Sequence, residues 1–189
     1  SPRHKIMKYD FNPTKAKLKE VESWLKNEYH SVRTGRATPF LLDGVQVKSY
    51  GSKLPLKQVA AITIEDARTL RITPWDKAQM KEIESAITAE NLGVSIGGDQ
   101  TGIRLTFPEL TTESRARLIK VVKDKFEEAR VAVRQARDKI WSTVQEAERA
   151  GTVAEDDKFR AKDELQKIVD GGNEELEILA AKKEKEILG

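Results

Sequence analysis

The chain has 189 residues, of which 38% are apolar, 34% charged and 6% aromatic, with no cysteine and a formal net charge of +3. That is enough apolar material for one large domain or two small ones, and so charged a composition favours a helix-rich protein over a sandwich or barrel. The missing cysteine excludes disulfides and thiolate nucleophiles or metal sites, and no apolar run approaches the ~20 residues of a membrane span, so neither membrane insertion nor a cofactor is expected.

The polar, basic opening SPRHKIMKYD lacks the apolar segment of a secretory signal, which points to a cytoplasmic or organelle-matrix protein. From Asn12 to Val32 the pattern is helical: Asn12 is placed to cap, Pro13 suits a first turn, and Leu18, Val21, Leu25, Tyr29 and Val32 fall on one side. From there to Phe107 the chain reads as strands and turns. GVQVKSYG, LPLKQVA, AAITIED and TLRITPW are short runs punctuated by Gly, Pro and Asp, and VSIGGDQTGIRLTF reads as a hairpin around Gly97 to Gly102. One helix interrupts them, predicted to begin near Asp76 with Gln79 three residues on, to bury Met80, Ile83 and Ile87, and to stop before Gly93.

After Pro108 there is no Pro or Gly until Gly151. Leu118, Val122, Phe126, Ala129, Val133, Ala136, Ile140, Val144 and Ala147 recur every three or four residues, a coiled-coil-like seam on a helix of roughly 60 Å. Gly151 ends it, and Thr152 with Glu155 offers a capping box for a second long helix with a stripe of Phe159, Leu165, Val169, Leu176 and Leu179. The Gly171 and Gly172 pair within that helix implies a close helix contact or a kink. Two long single-stripe helices need a third to close their core, and the N-terminal helix is the available one. The expected fold is therefore α+β: a three-helix bundle over 1–32 and 107–189, with a β-rich domain inserted over 33–106. The crossings near 33–36 and 105–108, with Gly35 and Pro108 at them, are expected to act as hinges.

Enzyme chemistry finds little support. His4 and His30 are the only histidines, no serine elbow is present, SIGGDQTG lacks the Gly-Lys-Ser/Thr ending of a phosphate loop, and EDD at 155–157 is what a helix dipole favours in a first turn. Charge distribution says more. From Arg115 to Lys139 nine cations stand against four anions, whereas from Ala154 to Gly189 seven cations stand against eleven anions. Mutual attraction of two helices is one explanation of this split. Phosphate contact is the other: Arg130, Arg134 and Arg137 share a helix face, each sits one position off the seam, no acid falls between Arg130 and Arg137, and a guanidinium fork suits phosphate oxygens.

SVRTGRATPFLLDGVQVKSYGSKLPLKQVAAITIEDARTLRI, NLGVSI, and EEARVAVRQARDK followed by EDD resemble the ribosome recycling factor family in order and spacing, from about Leu18 to the C-terminus. The resemblance implies a long antiparallel three-helix bundle with a small β/α/β domain inserted after the first helix, L-shaped about a hinge. It also implies a monomeric translation factor with no bond chemistry of its own, which binds the post-termination ribosome and, with elongation factor G and GTP, promotes its dissociation into subunits. Carried onto this chain, Arg130, Arg134 and Arg137, with Lys123 on the same basic helix, become contacts to large-subunit ribosomal RNA. Arg33, Thr34, Gly35, Arg36 and Pro108 become the domain junction, where Arg33 and Arg36 either brace the hinge or touch RNA. Ala154, where the family often has serine, and Gly171 with Gly172, where it is richer in alanine, depart from the pattern.

Overall fold

A computed structural model describes residues 9–189 of the chain. In order, its elements are α1 (Asn12–His30), β1 (Gln46–Ser49), β2 (Ser52–Pro55), α2 (Leu56–Val59), β3 (Ala60–Asp66), β4 (Thr69–Pro74), α3 (Met80–Ala89), β5 (Ser95–Gly98), β6 (Ile103–Thr106), α4 (Thr112–Arg149) and α5 (Glu155–Leu188), with 3-10 turns at Pro39–Leu42 and Lys77–Gln79. Internal packing divides the chain into two units. One runs up to Val32 and resumes over Arg117–Lys185; the other takes Arg33–Ala116 with Glu186–Gly189.

The first unit is a bundle of α1, α4 and α5. A helix of 38 residues rises about 57 Å, and its single apolar stripe needs cover from both sides. Val122, Ala129, Val133 and Val144 are the buried positions of α4, Leu18, Val21, Leu25 and Tyr29 those of α1, and Ala161, Leu165, Val169, Leu176 and Ala180 those of α5 within this unit. Each fully buried Val or Leu contributes about 1.5–3 kcal/mol. Cross-helix contacts fix the directions. The Tyr29 hydroxyl donates to the Val122 carbonyl at 2.8 Å, while Lys17, Glu20 and Trp24 stand beside Glu128 and Ala132, so α1 runs antiparallel to α4. Lys158 pairs with Glu148 at 2.6 Å and Lys162 lies near Trp141, so α5 returns antiparallel to α4.

Gly172 explains itself in this packing. It occupies the stripe position between Val169 and Leu176, and a Cβ there would stand 3.1 Å from Leu18 Cδ1, so glycine lets α5 approach α1 closely. Gly171 faces open space, and α5 passes both glycines without a break.

Several local expectations are corrected. Phe159 lies off the stripe and is 55% exposed, because the buried register of α5 runs through Ala161 and Leu165. Thr152 does not cap α5: its hydroxyl and its N–H both donate to the Ala147 carbonyl, so it closes α4 while Gly151 takes the left-handed turn at φ +77°. Asn12 is the first residue of α1 rather than its cap, and its N–H donates to Asp10 Oδ1. LPLKQVA is not one strand; β2 ends at Pro55 and a single α turn follows, with the Leu56 N–H bonded to the Val45 carbonyl. Met80 is half-buried.

The second unit holds the antiparallel hairpin β1–β2 and a four-stranded antiparallel sheet in the order β3-β4-β6-β5. Period-two alternation turns Leu70 and Ile72 inward, and they pair in register with Leu105 and Ile103. With Val45, Val47, Leu56, Ile83 and Ile87 these residues form its core. The Gly97–Gly102 segment is the expected hairpin. Its turn is organised by Asp99, which accepts from the Arg71 guanidinium at 2.8 Å and from the N–H groups of Thr101 and Gly102, and these bonds hold its carboxyl well below the usual carboxylate range. A Cβ at Gly102 would lie 2.6 Å from the Ile72 carbonyl oxygen, so only glycine fits there.

Burial pushes the Tyr29 hydroxyl from its ordinary 10.0 up to about 12, with the Glu184 carboxylate adding to the effect. The folded chain thus holds this proton to higher pH than the unfolded chain, so the stabilisation is complete below pH 10 and is lost as pH rises from 10 to about 12. Tyr29→Phe should lower stability by about 1 kcal/mol at neutral pH through the lost hydrogen bond. It should also flatten the decline between pH 10 and 12 in urea titrations; an unchanged alkaline slope would remove Tyr29 from the account.

Candidate nucleic-acid interface

The long α4 presents its cations in a set place because they follow its seam. Lys123, Arg130, Arg134 and Arg137 each come one residue after the seam positions Val122, Ala129, Val133 and Ala136. At 3.6 residues per turn all four fall within an arc of about 60° beside the buried stripe. Lys123, Arg130 and Arg134 are exposed, whereas the Arg137 side chain keeps 38% of its surface.

Their intramolecular partners are few and weak. The Arg130 guanidinium lies 5.7 Å from the centroid of the Phe126 ring, one turn back on the same helix. Arg134 Nη2 is 4.0 Å from Glu127 Oε1, at the outer limit of an ion pair between two exposed groups. Arg137 donates through Nε and Nη2 to Asp138 Oδ1 at 3.1 and 3.0 Å. No acid falls between Arg130 and Arg137, and the two that reach these arginines, Glu127 and Asp138, flank that interval.

Two other cations of the bundle, Lys125 and Lys158, are committed internally. Lys125 sits 3.4 Å from Glu128 and 3.6 Å from Glu28 of α1, and the hydrogen bond to Glu128 is the chief reason its pKa is raised. Near the α4–α5 turn the ion pair joining the two helices has its cation, Lys158, on α5 and its anion, Glu148, on α4. That polarity is the reverse of an attraction between a basic α4 and an acidic α5. Lys123, Arg130 and Arg134 face outward, in a form suited to phosphates spaced along a backbone.

The junction residues lie in the second unit. Gly35 takes φ +76°, and a Cβ there would meet Leu110 Cγ at 3.4 Å and the Pro108 carbonyl oxygen at 3.7 Å, so the two crossing segments run side by side. Arg33 Nη1 reaches over Gly93, 3.1 Å from where a Cβ would stand. Thr34 accepts from the Arg36 N–H through Oγ1, and the Arg36 side chain and Pro108 are exposed. His30 ends α1; His4 lies outside the described residues. A groove between α4 and α5 around Trp141 was not singled out from the sequence, although Trp141 stands two turns beyond Arg134 and could have been counted on the same face. Among the described residues no helix is long and apolar enough to cross a membrane.

The sequence profile of the ribosome recycling factor family matches residues 25–188. The ribosome-recycling factor of Thioalkalivibrio sulfidiphilus is 44% identical over 170 residues, covering 90% of this chain and 91% of the relative. That of Rhodopseudomonas palustris is 41% identical over 181 residues, covering 96% and 97%. Among solved structures, a solution structure of a ribosome recycling factor matches with a TM-score of 0.73 and 35% identity over 94% of this chain and 95% of the other. A second match, at TM-score 0.63 and 35% identity over 95% and 97%, is the T. thermophilus factor placed with E. coli elongation factor G on the E. coli post-termination complex.

Glu127→Gln removes the carboxylate beside Arg134 from an exposed position. The melting temperature should stay within about 2 °C, and the variant should elute from immobilised heparin at higher salt than the parent. Elution at the same or lower salt would mean that Arg134 takes no part in polyanion binding.

Proposed function

The chain belongs to the ribosome recycling factor family, and from that premise we propose that it binds the post-termination ribosome and, with elongation factor G and GTP, promotes its dissociation into subunits and release from mRNA. Like its family it is a translation factor rather than an enzyme. The site of action makes it a cytoplasmic protein of a bacterium or the equivalent of an organelle matrix.

The observation that supports a role for α4 is the arc of exposed Lys123, Arg130 and Arg134, with half-buried Arg137 beside them, on a helix whose Lys125 is instead taken up by Glu28 and Glu128. In this reading the arc grips large-subunit ribosomal RNA through phosphate oxygens. A long helix braced by two others is stiff, so force applied by the GTPase is transmitted rather than absorbed. The segments Arg33 to Arg36 and around Pro108 serve as the joint between the two units, and reorientation there turns the push into loss of contacts between ribosomal subunits. Arg33, laid over Gly93, acts as a brace in this scheme.

Sedimentation of post-termination ribosomes tests the proposal. Free subunits should accumulate only when the protein, elongation factor G and GTP are all present. Arg130→Gln with Arg134→Gln should abolish subunit separation and lower the dependence of log K on log salt by about one per charge removed, with the melting temperature within about 2 °C of the parent. A lowered melting temperature with ribosome binding intact would return these arginines to helix pairing.

A further inference from the structure

The basic arc of α4 leads into a groove of about 280 Å³ between α4 and α5, lined by Arg137, Asp138, Trp141, Lys162, Leu165 and Gln166. Trp141 is seven residues beyond Arg134, so its indole continues the same side of α4 about 10 Å further along the axis. The ring is half-buried, with Lys162 Nζ 5.8 Å and Lys158 Nζ 6.0 Å from its centroid. Leu165 supplies a buried apolar base. Gln166 donates from Nε2 to Asp170 at 2.7 Å, which leaves its carbonyl oxygen and one N–H for another partner. Asp138 also lines the groove, and its carboxylate is already engaged by Arg137.

Each of these features has a counterpart in a nucleotide. A flat aromatic face stacks on a base, an amide meets a base edge, and lysine and arginine meet a phosphate. At about 280 Å³ the groove lies just below the usual range of drug-sized ligand pockets, a size that suits one base rather than a larger ligand. The lysines over the indole hold it by a weak cation–π contact that is readily exchanged for phosphate. Continuity with the arginine arc decides the source of the nucleotide, because Arg137 belongs to both.

We propose that the groove takes one unstacked nucleotide of the RNA bound by α4, its base laid on Trp141 and its phosphate held between Arg137 and Lys162. This rests on the reading of α4 as an RNA-binding face. Stacking gives a use to the part of the Trp141 ring that its neighbours on α5 leave uncovered.

A Trp24→Phe, Trp75→Phe background leaves Trp141 as the sole indole, and titration with purified large ribosomal subunits reports on it directly. Its emission should be quenched on binding. In the same background Trp141→Leu should weaken binding about tenfold and Trp141→Phe by less than about threefold, since a phenyl ring still stacks. Lys162→Gln, which leaves the ring in place, should lower the salt dependence by about one charge. Full-affinity binding by Trp141→Leu with no quenching in the parent background would overturn this inference while leaving the RNA reading of α4 intact. Equal losses in the Leu and Phe variants would overturn it as well, assigning the ring to packing. Failure of the background protein and the unmodified chain alike to bind large subunits would overturn both.

Discussion

The apolar stripe of α4 is the constraint from which the rest follows. A helix of 38 residues with one such stripe has no stable existence in water until the stripe is covered. Here α1 supplies Leu25 and Tyr29, and α5 supplies Leu165, Val169 and Leu176. Because α1 lies far from α4 in sequence, closing the bundle places everything between Arg33 and Ala116 in a separate packing unit. Tyr29 ties the long-range contact with a buried hydrogen bond to the Val122 carbonyl, and Gly172 lets α5 draw against Leu18. The same stripe sets the direction of the cations, since a residue one step past a buried position emerges beside the seam.

Electrostatics then divides the charges of the bundle into two sets. Lys125 is engaged with Glu28 and Glu128, and Lys158 with Glu148. Lys123, Arg130 and Arg134 remain at the surface with at most a marginal ion pair, which gives a stiff element a line of cations at helical spacing. Such a line has the chemistry to meet regularly placed phosphates, and its total charge is modest. The chain belongs to the ribosome recycling factor family, and cations placed along one helix face are the kind of chemistry that meets phosphates without reading base sequence.

The second unit reaches stability by a different route. Its four-stranded sheet depends on in-register pairs such as Leu70 with Leu105 and Ile72 with Ile103. The turn that joins β5 to β6 is held by Asp99 and requires Gly102 beneath the Ile72 carbonyl. Local chemistry of this kind makes a compact body from few residues, packed separately from the bundle.

By itself the sequence determined the long-period features: three helices with one stripe each, a β-rich stretch among them, the hairpin around Gly97, the family, and the common face of Arg130, Arg134 and Arg137. These follow from periodicity, which accumulates over many turns and tolerates local error. Only the tertiary structure decided the rest: which end of α4 each helix covers, that Thr152 closes α4 instead of starting α5, that Phe159 is left outside, and that Glu127 and Asp138 reach the arginines. It also brought Lys158 and Lys162 to Trp141 from another helix. The physical reason is that a cap, a burial register or a groove depends on which groups from distant segments compete for the same few ångströms, and spacing along one segment carries no record of that competition.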